Sequence, residues 1–514
     1  MTQSSLTLPT QPDDPLYNLR VSLIQSINNS RSFVVLALTG GGQVVGDLLS
    51  VAGASRMLLE ATVTYSPESM QNYIGCTPDQ YCCRRTACYM ATAAFNRAIK
   101  IIRTQKKNRL PVNQSELSDC SIGKENRQGD QNDIYDNYNN YDNIDLFSSN
   151  VGRQDQATLD DFSNLIGVGC TASLVTNREK AGEHRVHVAV QTLRGTLAFS
   201  LKLNKGERTR LEEDRLAADL ILNAIDVARQ DIESQRDKNA IDNFTSNDRH
   251  KESDDKFFDA FETRSSVSES FSGRLPLVLK SGEFVESLSV VGNPLLVNLF
   301  FGDSKAVLWQ RGKIRNFCRK SDQVDTGVDA FNKYAEFMQS IFPGSFNPVH
   351  RGHLDMLDIA ERKLGCRCAM EISISNAEKP MVDYIDLWSR LSEIDRASTD
   401  QLVWLTQTPL FEDKAELFRG ATFIVGADTL KRFADVGKYY KNTHHLHDVL
   451  RVIAFYDCRF LVFARELESN TESLGSLEIP DMLRSLCDEV NESEFAKKIS
   501  STDLRKNKIM ESCE

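Results

Sequence analysis

Short apolar runs alternate along this chain with longer stretches whose apolar positions recur at helical spacing. Ser32 to Leu38 is an apolar run that ends in Thr39-Gly40-Gly41-Gly42 and gives way to an amphipathic stretch from Gln43 to Ser50. The same order returns at Ser340-Ile341-Phe342, then Pro343-Gly344-Ser345, then a helical pattern from about Gly352 to Leu364. Apolar run, glycine turn, helix is how open α/β sheets begin a ligand site. The expected fold class is α/β, with two α/β domains.

Composition shifts mark the boundaries. Between about Lys106 and Asp161 lies Asn132-Asp133-Ile134-Tyr135-Asp136-Asn137-Tyr138-Asn139-Asn140, which has no period and favours turns. It reads as a disordered insertion at about 106–161 within a first domain of residues 16–229. Residues 230–273 alternate Asp, Lys, Arg, Ser and Asn and read as a charged linker. Residues 274–336 form a small extension. There Leu277 to Leu279 and Phe284 to Val291 suggest a hairpin, and Leu295 to Phe301 and Ala306 to Trp309 suggest two more strands. The last domain spans 337–508.

Charge narrows the function. At 514 residues the chain is long enough for two or three cores. A net charge of −11 leaves no basic face for nucleic acid, though a local basic pocket for a small phosphorylated ligand is compatible with it. Met1 to Pro15 lacks an apolar core and has no arginine, and no apolar run is long enough to span a membrane. A cytoplasmic protein without a membrane partner is expected. Cys76, Cys82, Cys83 and Cys88 lack the paired gaps of a zinc site, and His444-His445-Leu446-His447 do not share one helical face. Metal ligation is expected at neither.

The densest chemistry lies in Phe342-Pro343-Gly344-Ser345-Phe346-Asn347-Pro348-Val349-His350-Arg351-Gly352-His353. A glycine straight after a strand lets backbone amides approach an anion, and the free amides of the next helix donate to phosphate. His350 and His353 sit at i and i+3, on one side of the first helical turn. Gly352 between them is predicted to clear room for a phosphate. Two imidazoles aimed at one phosphate can stabilise charge that develops as its α-phosphorus is attacked.

Gly344-Ser345-Phe346-Asn347-Pro348-Val349-His350-Arg351-Gly352-His353 resembles the signature of the HxGH nucleotidyltransferase superfamily. Ile499-Ser500-Ser501-Thr502-Asp503-Leu504-Arg505 resembles its second signature, which holds the triphosphate through hydroxyls, amides and a guanidinium. Within the superfamily the chain is most similar to nicotinamide-mononucleotide adenylyltransferases. Phe423-Ile424-Val425-Gly426-Ala427-Asp428 looks like their Gly-x-Asp segment, whose Asp meets ribose hydroxyls, and Lys379 with Arg390 resembles their basic pair. Their tryptophan after Gly-x-Asp is replaced by Tyr439-Tyr440. The resemblance implies a Rossmann-like parallel-sheet domain and adenylyl transfer from ATP to nicotinamide or nicotinate mononucleotide. His350 and His353 would be catalytic. Gly344, Ser345, Phe346, Gly352, Lys379, Arg390, Gly426, Asp428, Ser500, Ser501, Thr502 and Arg505 would bind nucleotide, with Mg²⁺ carried on the ATP. Cytidylyltransferase-like transfer to another phosphorylated acceptor is the alternative, and a nucleotide-binding scaffold the third.

Thr39-Gly40-Gly41, Val51-Ala52-Gly53-Ala54-Ser55 and Val63-Thr64-Tyr65-Ser66 resemble the C-terminal domain of the CinA family, as does Gly167-Val168-Gly169-Cys170-Thr171-Ala172; the resemblance implies strands over His184 to Gln191 and Gly195 to Leu203 and a helix from Arg208 to Ala228. Those domains are nicotinamide-mononucleotide amidohydrolases that need a serine nucleophile and a lysine. Ala37-Leu38 and Met70 stand at those positions here, so no hydrolysis is expected. The remnant pocket would comprise Thr39, Gly40, Gly41 and Tyr65, with a free amide cradle at Gly40 to Gly42. The domain would serve ligand binding or assembly, including a homo-oligomer.

Overall fold

The computed structural model describes residues 16–107, 159–177, 181–245, 258–268, 273–302, 304–316, 338–375, 381–436, 443–466, 471–490 and 494–495. The expected insertion therefore lies almost wholly outside the described residues. Two compact units divide the chain: residues 1–247 with 264–289, and residues 248–263 with 290–514.

The first unit is built on β1 (Phe33–Leu38), β2 (Leu58–Val63), β3 (Leu165–Ser173), β4 (His184–Gln191) and β5 (Gly195–Leu203). After a short β6 (Phe258–Asp259), which belongs to the second unit, β7 (Phe261–Ser268) and β8 (Phe284–Gly292) extend the first sheet. Its order is β2-β1-β3-β4-β5-β8-β7. β1 runs parallel to β2 and β3, while β3, β4 and β5 are antiparallel neighbours. Val34 to Leu38 are all buried, because helices cover both faces of this strand; that is why its sequence is apolar without alternation.

Two glycines seat one of those helices. A Cβ on Gly167 would lie 2.3 Å from the Phe95 nitrogen, and one on Gly169 would lie 2.2 Å from the Ala87 carbonyl oxygen. Helix Arg84–Lys107 thus rests on bare backbone of β3. On the other face, Ala217, Ala218 and Ile221 of helix Arg210–Thr245 share a core with Leu36, Leu38 and Val168. The buried Arg20–Asp219 ion pair, 2.8 Å long, ties helix Tyr17–Asn29 to the same helix.

The second unit holds β9 (Ala306–Gln310), β10 (Lys313–Asn316), β11 (Ser340–Pro343), β12 (Ala369–Ser373), β13 (Val403–Thr406), β14 (Thr422–Gly426) and β15 (Arg459–Phe463). β16 (Arg465–Glu466) and β17 (Thr471–Glu472) form a separate small hairpin, and β18 (Cys487–Val490) ends the series. The nine-stranded sheet runs β18-β15-β14-β11-β12-β13-β9-β10-β6. From β18 to β13 every pairing is parallel; β9 and β10 add antiparallel strands. β11, β12 and β13 build the sheet in one direction, β14, β15 and β18 in the other. The reversal falls between β11 and β14, the switch point where open α/β sheets form their crevice.

The extension expected at 274–336 divides between the two sheets. β8 joins the first, while β9 and β10 join the second. Leu277 to Leu279 forms no strand, so the expected hairpin is replaced by β8 lying between β5 and β7. Leu295 to Phe301, expected as a strand, is part of helix Pro294–Phe301. Asn293 Oδ1 accepts from the Leu295 amide at 3.0 Å and Pro294 occupies the first helical position, a start signal that outweighs the apolar run. The expected linker begins inside helix Arg210–Thr245, which continues well past Ala228.

Candidate active site

β11 and β14 lie side by side and parallel, so Gly344 to His353 and Gly426 to Asp428 leave the sheet at the same end. The loop after β11 is shaped by one aromatic ring. Phe346 is buried, packs edge-on against Phe342 at 5.2 Å and His353 at 5.0 Å, and holds φ at +42°. A left-handed phenylalanine costs about 1–3 kcal/mol, which its burial offsets. A Cβ on Gly344 would come within 2.8 Å of that ring, so Gly344 is required by Phe346 as well as by the turn.

A second fastening comes from helix Tyr384–Ala397. Arg390 donates through Nη1 to the Ser345 carbonyl at 3.1 Å and pairs through Nη2 with Asp386. Asp386 also accepts from Asn347 Nδ2 at 3.2 Å. Its amide in turn donates to Asp383 Oδ1 at 2.9 Å, capping the helix. Burial, reinforced by Asp386 alongside, pushes the Asp383 carboxyl up to about 6. Arg390, expected to reach toward phosphates, is 8% exposed and spends two of its nitrogens holding the loop's own backbone and carboxylate partner. Asp386 and Asn347 brace this loop through a contact that motif reading misses; the visible signal is Asp386 and Arg390 at i and i+4.

The histidines converge. Helix Arg351–Leu364 starts at His350, and the two imidazoles stack with centroids 3.7 Å apart and planes 21° apart. The His350 amide donates to His353 Nδ1 at 3.2 Å. Burial, with a smaller contribution from His350, lowers His353 to about 3, so the ring is neutral at physiological pH. With Nδ1 accepting, a neutral ring carries its proton on Nε2. His353 is therefore a fixed hydrogen-bond donor and not a cation. Sequence spacing predicts that Gly352 clears room for a phosphate; in the fold that room adjoins the His350 ring, whose Nδ1 would be 3.1 Å from an added Cβ.

At the neighbouring strand end, Gly426 closes β14 and Asp428 lies in the first turn of helix Ala427–Phe433. An added Cβ on Gly426 would be 2.7 Å from Asp428 Oδ1, so the carboxylate folds back over the strand end. Lys379, Tyr439, Tyr440, Ser500, Ser501, Thr502 and Arg505 lie outside the described residues.

The first unit's glycine turn is occupied from within. The Gly41 amide donates to Asp214 Oδ1 at 2.8 Å and the Gln43 amide to Asp214 Oδ2 at 3.3 Å. Gly41 sits at φ +70°, and a Cβ there would lie 2.7 Å from Ile221 Cδ1; one on Gly40 would lie 2.5 Å from Ala172 Cβ. The free amide cradle expected at Gly40 to Gly42 is thus corrected: a side-chain carboxylate fills it, and the glycines serve close packing. Tyr65 is exposed.

Residues 341–507 match the cytidylyltransferase-like family model. The C-terminal region is a cytidylyltransferase-like, Rossmann-like domain, and the chemistry of that class is nucleotidyl transfer. No curated protein matches the chain. Among solved structures, the chain is similar to competence/damage inducible protein CihA from Agrobacterium tumefaciens, at 13% identity over 44% of this chain and 98% of that one, with a TM-score of 0.24. At that score the likeness carries no argument. Among the described residues no helix is long and apolar enough to cross a membrane, and no group of three His, Cys, Asp or Glu side chains could hold a metal ion.

Proposed function

We propose that the C-terminal domain transfers an adenylyl group from ATP to nicotinamide or nicotinate mononucleotide, releasing pyrophosphate. The observation that carries the reading is the pair of stacked imidazoles at a helix start beside the β11–β14 switch point. The acceptor phosphate forms a bond to the α-phosphorus as the bond to the bridging oxygen of pyrophosphate breaks. That nucleophile is already ionised, so no protein base is needed. His353 contributes by donating from Nε2 to a phosphate oxygen whose charge grows in the transition state. The Gly344 amide is spent on the Glu371 carbonyl of β12 at 2.9 Å, so the loop beyond it, from Ser345 on and held by Arg390 and Phe346, supplies a fixed cradle that need not reorganise during the reaction. Asp428 is assigned to ribose hydroxyls. Lys379, Ser500, Ser501, Thr502 and Arg505 are assigned to the triphosphate by their resemblance to the family's motifs. Mg²⁺ arrives on the triphosphate, with phosphate oxygens and water as its ligands.

A second reading, cytidylyl transfer from CTP to another phosphate monoester, is favoured by the description of the matching family model. One assay separates the readings. Pyrophosphate release is measured with ATP or CTP against both mononucleotides and a panel of other phosphorylated acceptors. Release with ATP and a pyridine mononucleotide supports the first; release only with CTP, or only with other acceptors, supports the second. No release with any pair, despite nucleotide binding, makes the domain a nucleotide-binding scaffold.

A further inference from the structure

Successive residues of the loop after β11 are each held by a separate contact. The Gly344 amide donates to the Glu371 carbonyl at 2.9 Å, and the Ser345 carbonyl accepts from Arg390 Nη1 at 3.1 Å. The Phe346 ring packs against Phe342 and His353. Asn347 Nδ2 donates to Asp386 Oδ1 at 3.2 Å. Two of these fastenings end at Asp386, one directly and one through Arg390, whose Nη2 the same carboxylate pairs.

The Arg390 contact fixes a direction as well as a place. The Ser345–Phe346 peptide is trans and planar, so its N–H points opposite to its C=O. With the carbonyl turned to Arg390, the Phe346 amide is turned away from that guanidinium. Among the described residues that amide has no hydrogen-bond partner. Phe346 holds φ at +42°, a conformation that suits glycine far better than phenylalanine. Turning this one peptide over by half a turn would carry Phe346 into the extended range with little movement of either Cα. The relaxed alternative therefore presents the Ser345 carbonyl oxygen where the Phe346 N–H now stands. An N–H attracts a phosphate oxygen and a carbonyl repels it. The hydrogen bond from Arg390 opposes that flip, and Asp386 keeps the guanidinium in place. Arginine suits the task because its planar fork serves a carbonyl and a carboxylate at once, which a single ammonium does poorly.

We propose that Arg390 and Asp386 are positioning residues of the nucleotide site, holding the Ser345–Phe346 peptide against a flip so that an amide and not a carbonyl meets the ligand's phosphate. The proposal rests on the transferase reading for where the phosphate lies, and not on the reaction itself. It is tested on the full chain labelled with carbonyl carbon-13 serine and nitrogen-15 phenylalanine. Only the Ser–Phe steps at 32–33, 270–271 and 345–346 then give a coupled signal, and Ser345→Ala identifies the last by its loss. In the wild type that signal shifts saturably with ATP and Mg²⁺. Arg390→Lys and Asp386→Asn each move it in the free protein and weaken ATP binding about tenfold or more. Should Asp386→Asn fail to fold, Arg390→Lys decides alone. Ile394→Ala, a cavity at a fully buried position one turn further along the same helix, lowers Tm but leaves the signal in place and affinity per folded molecule within about twofold. An unmoved signal or unchanged affinity in Arg390→Lys, an equal loss of affinity in Ile394→Ala, or a wild-type signal that ATP does not shift overturns the proposal. Pyrophosphate release is measured separately. A wild type whose signal responds to ATP without turnover sinks the transferase reading and leaves this one standing.

Discussion

Each unit of this protein contains a strand, a glycine turn and a helix, and the two turns are finished in opposite ways. After β1, the amides of Gly41 and Gln43 are taken by Asp214, a carboxylate from the chain itself. After β11, the loop is fastened from behind, through its Ser345 carbonyl and the Asn347 side chain, by Arg390 and Asp386. Its histidines form a stack at the start of the next helix. A glycine turn is thus only an opportunity for anion binding. The residues packed against it decide whether that opportunity is used internally or left to a ligand.

The largest expected effect falls on the second turn. His353→Ala lowers pyrophosphate release by about a thousandfold with the fold intact by circular dichroism, since one preorganised donor to a developing oxyanion is lost. Full activity would place the chemistry elsewhere. Gly344→Ala drives a Cβ into the Phe346 ring and Gly40→Ala drives one into Ala172. Each is expected to cost about 1–3 kcal/mol in denaturant unfolding, with only Gly344→Ala reducing turnover per folded molecule. Equal loss of turnover in both would erase the distinction between the turns.

Asp214→Ala leaves the Gly41 and Gln43 amides without their carboxylate. A loss of about 1–3 kcal/mol is expected, partly restored by added phosphate if the emptied turn accepts an external anion. No change in stability would show that Asp214 is not the filler. The last effect is a slope. His353 is held to about 3 when folded and titrates near 6.5 when unfolded, so below pH 6.5 the unfolded state binds the extra proton. Its contribution is fully present above about pH 6.5 and falls by at most about 1.4 kcal/mol per pH unit down to about pH 3. His353→Gln should flatten the acid limb of the stability profile by that slope.

Much of the framework was legible in the chain. β1 begins within a residue of the apolar run that predicts it, and helix Arg351–Leu364 begins within a residue of its predicted start. Local signals sufficed there because period and capping are properties of neighbouring residues. Leu295 to Phe301 misleads because a short apolar run is compatible with either element, and Asn293-Pro294 tips it to helix. The network of Asp386, Arg390 and Asn347 was hidden, since helix Arg351–Leu364 and β12 separate Asn347 from Asp386 along the chain.

By itself the sequence determined that there are two α/β regions and that the second carries paired histidines after a glycine turn. Only the tertiary structure decided that Asp214 fills one turn and that His353 is a neutral donor. It also decided that Thr171 and His187 stand opposite each other on β3 and β4. The reason is physical: periodicity, turns and motifs are encoded within a few residues. Burial, tautomer and the pairing of a buried amide depend on which distant segment is packed against them.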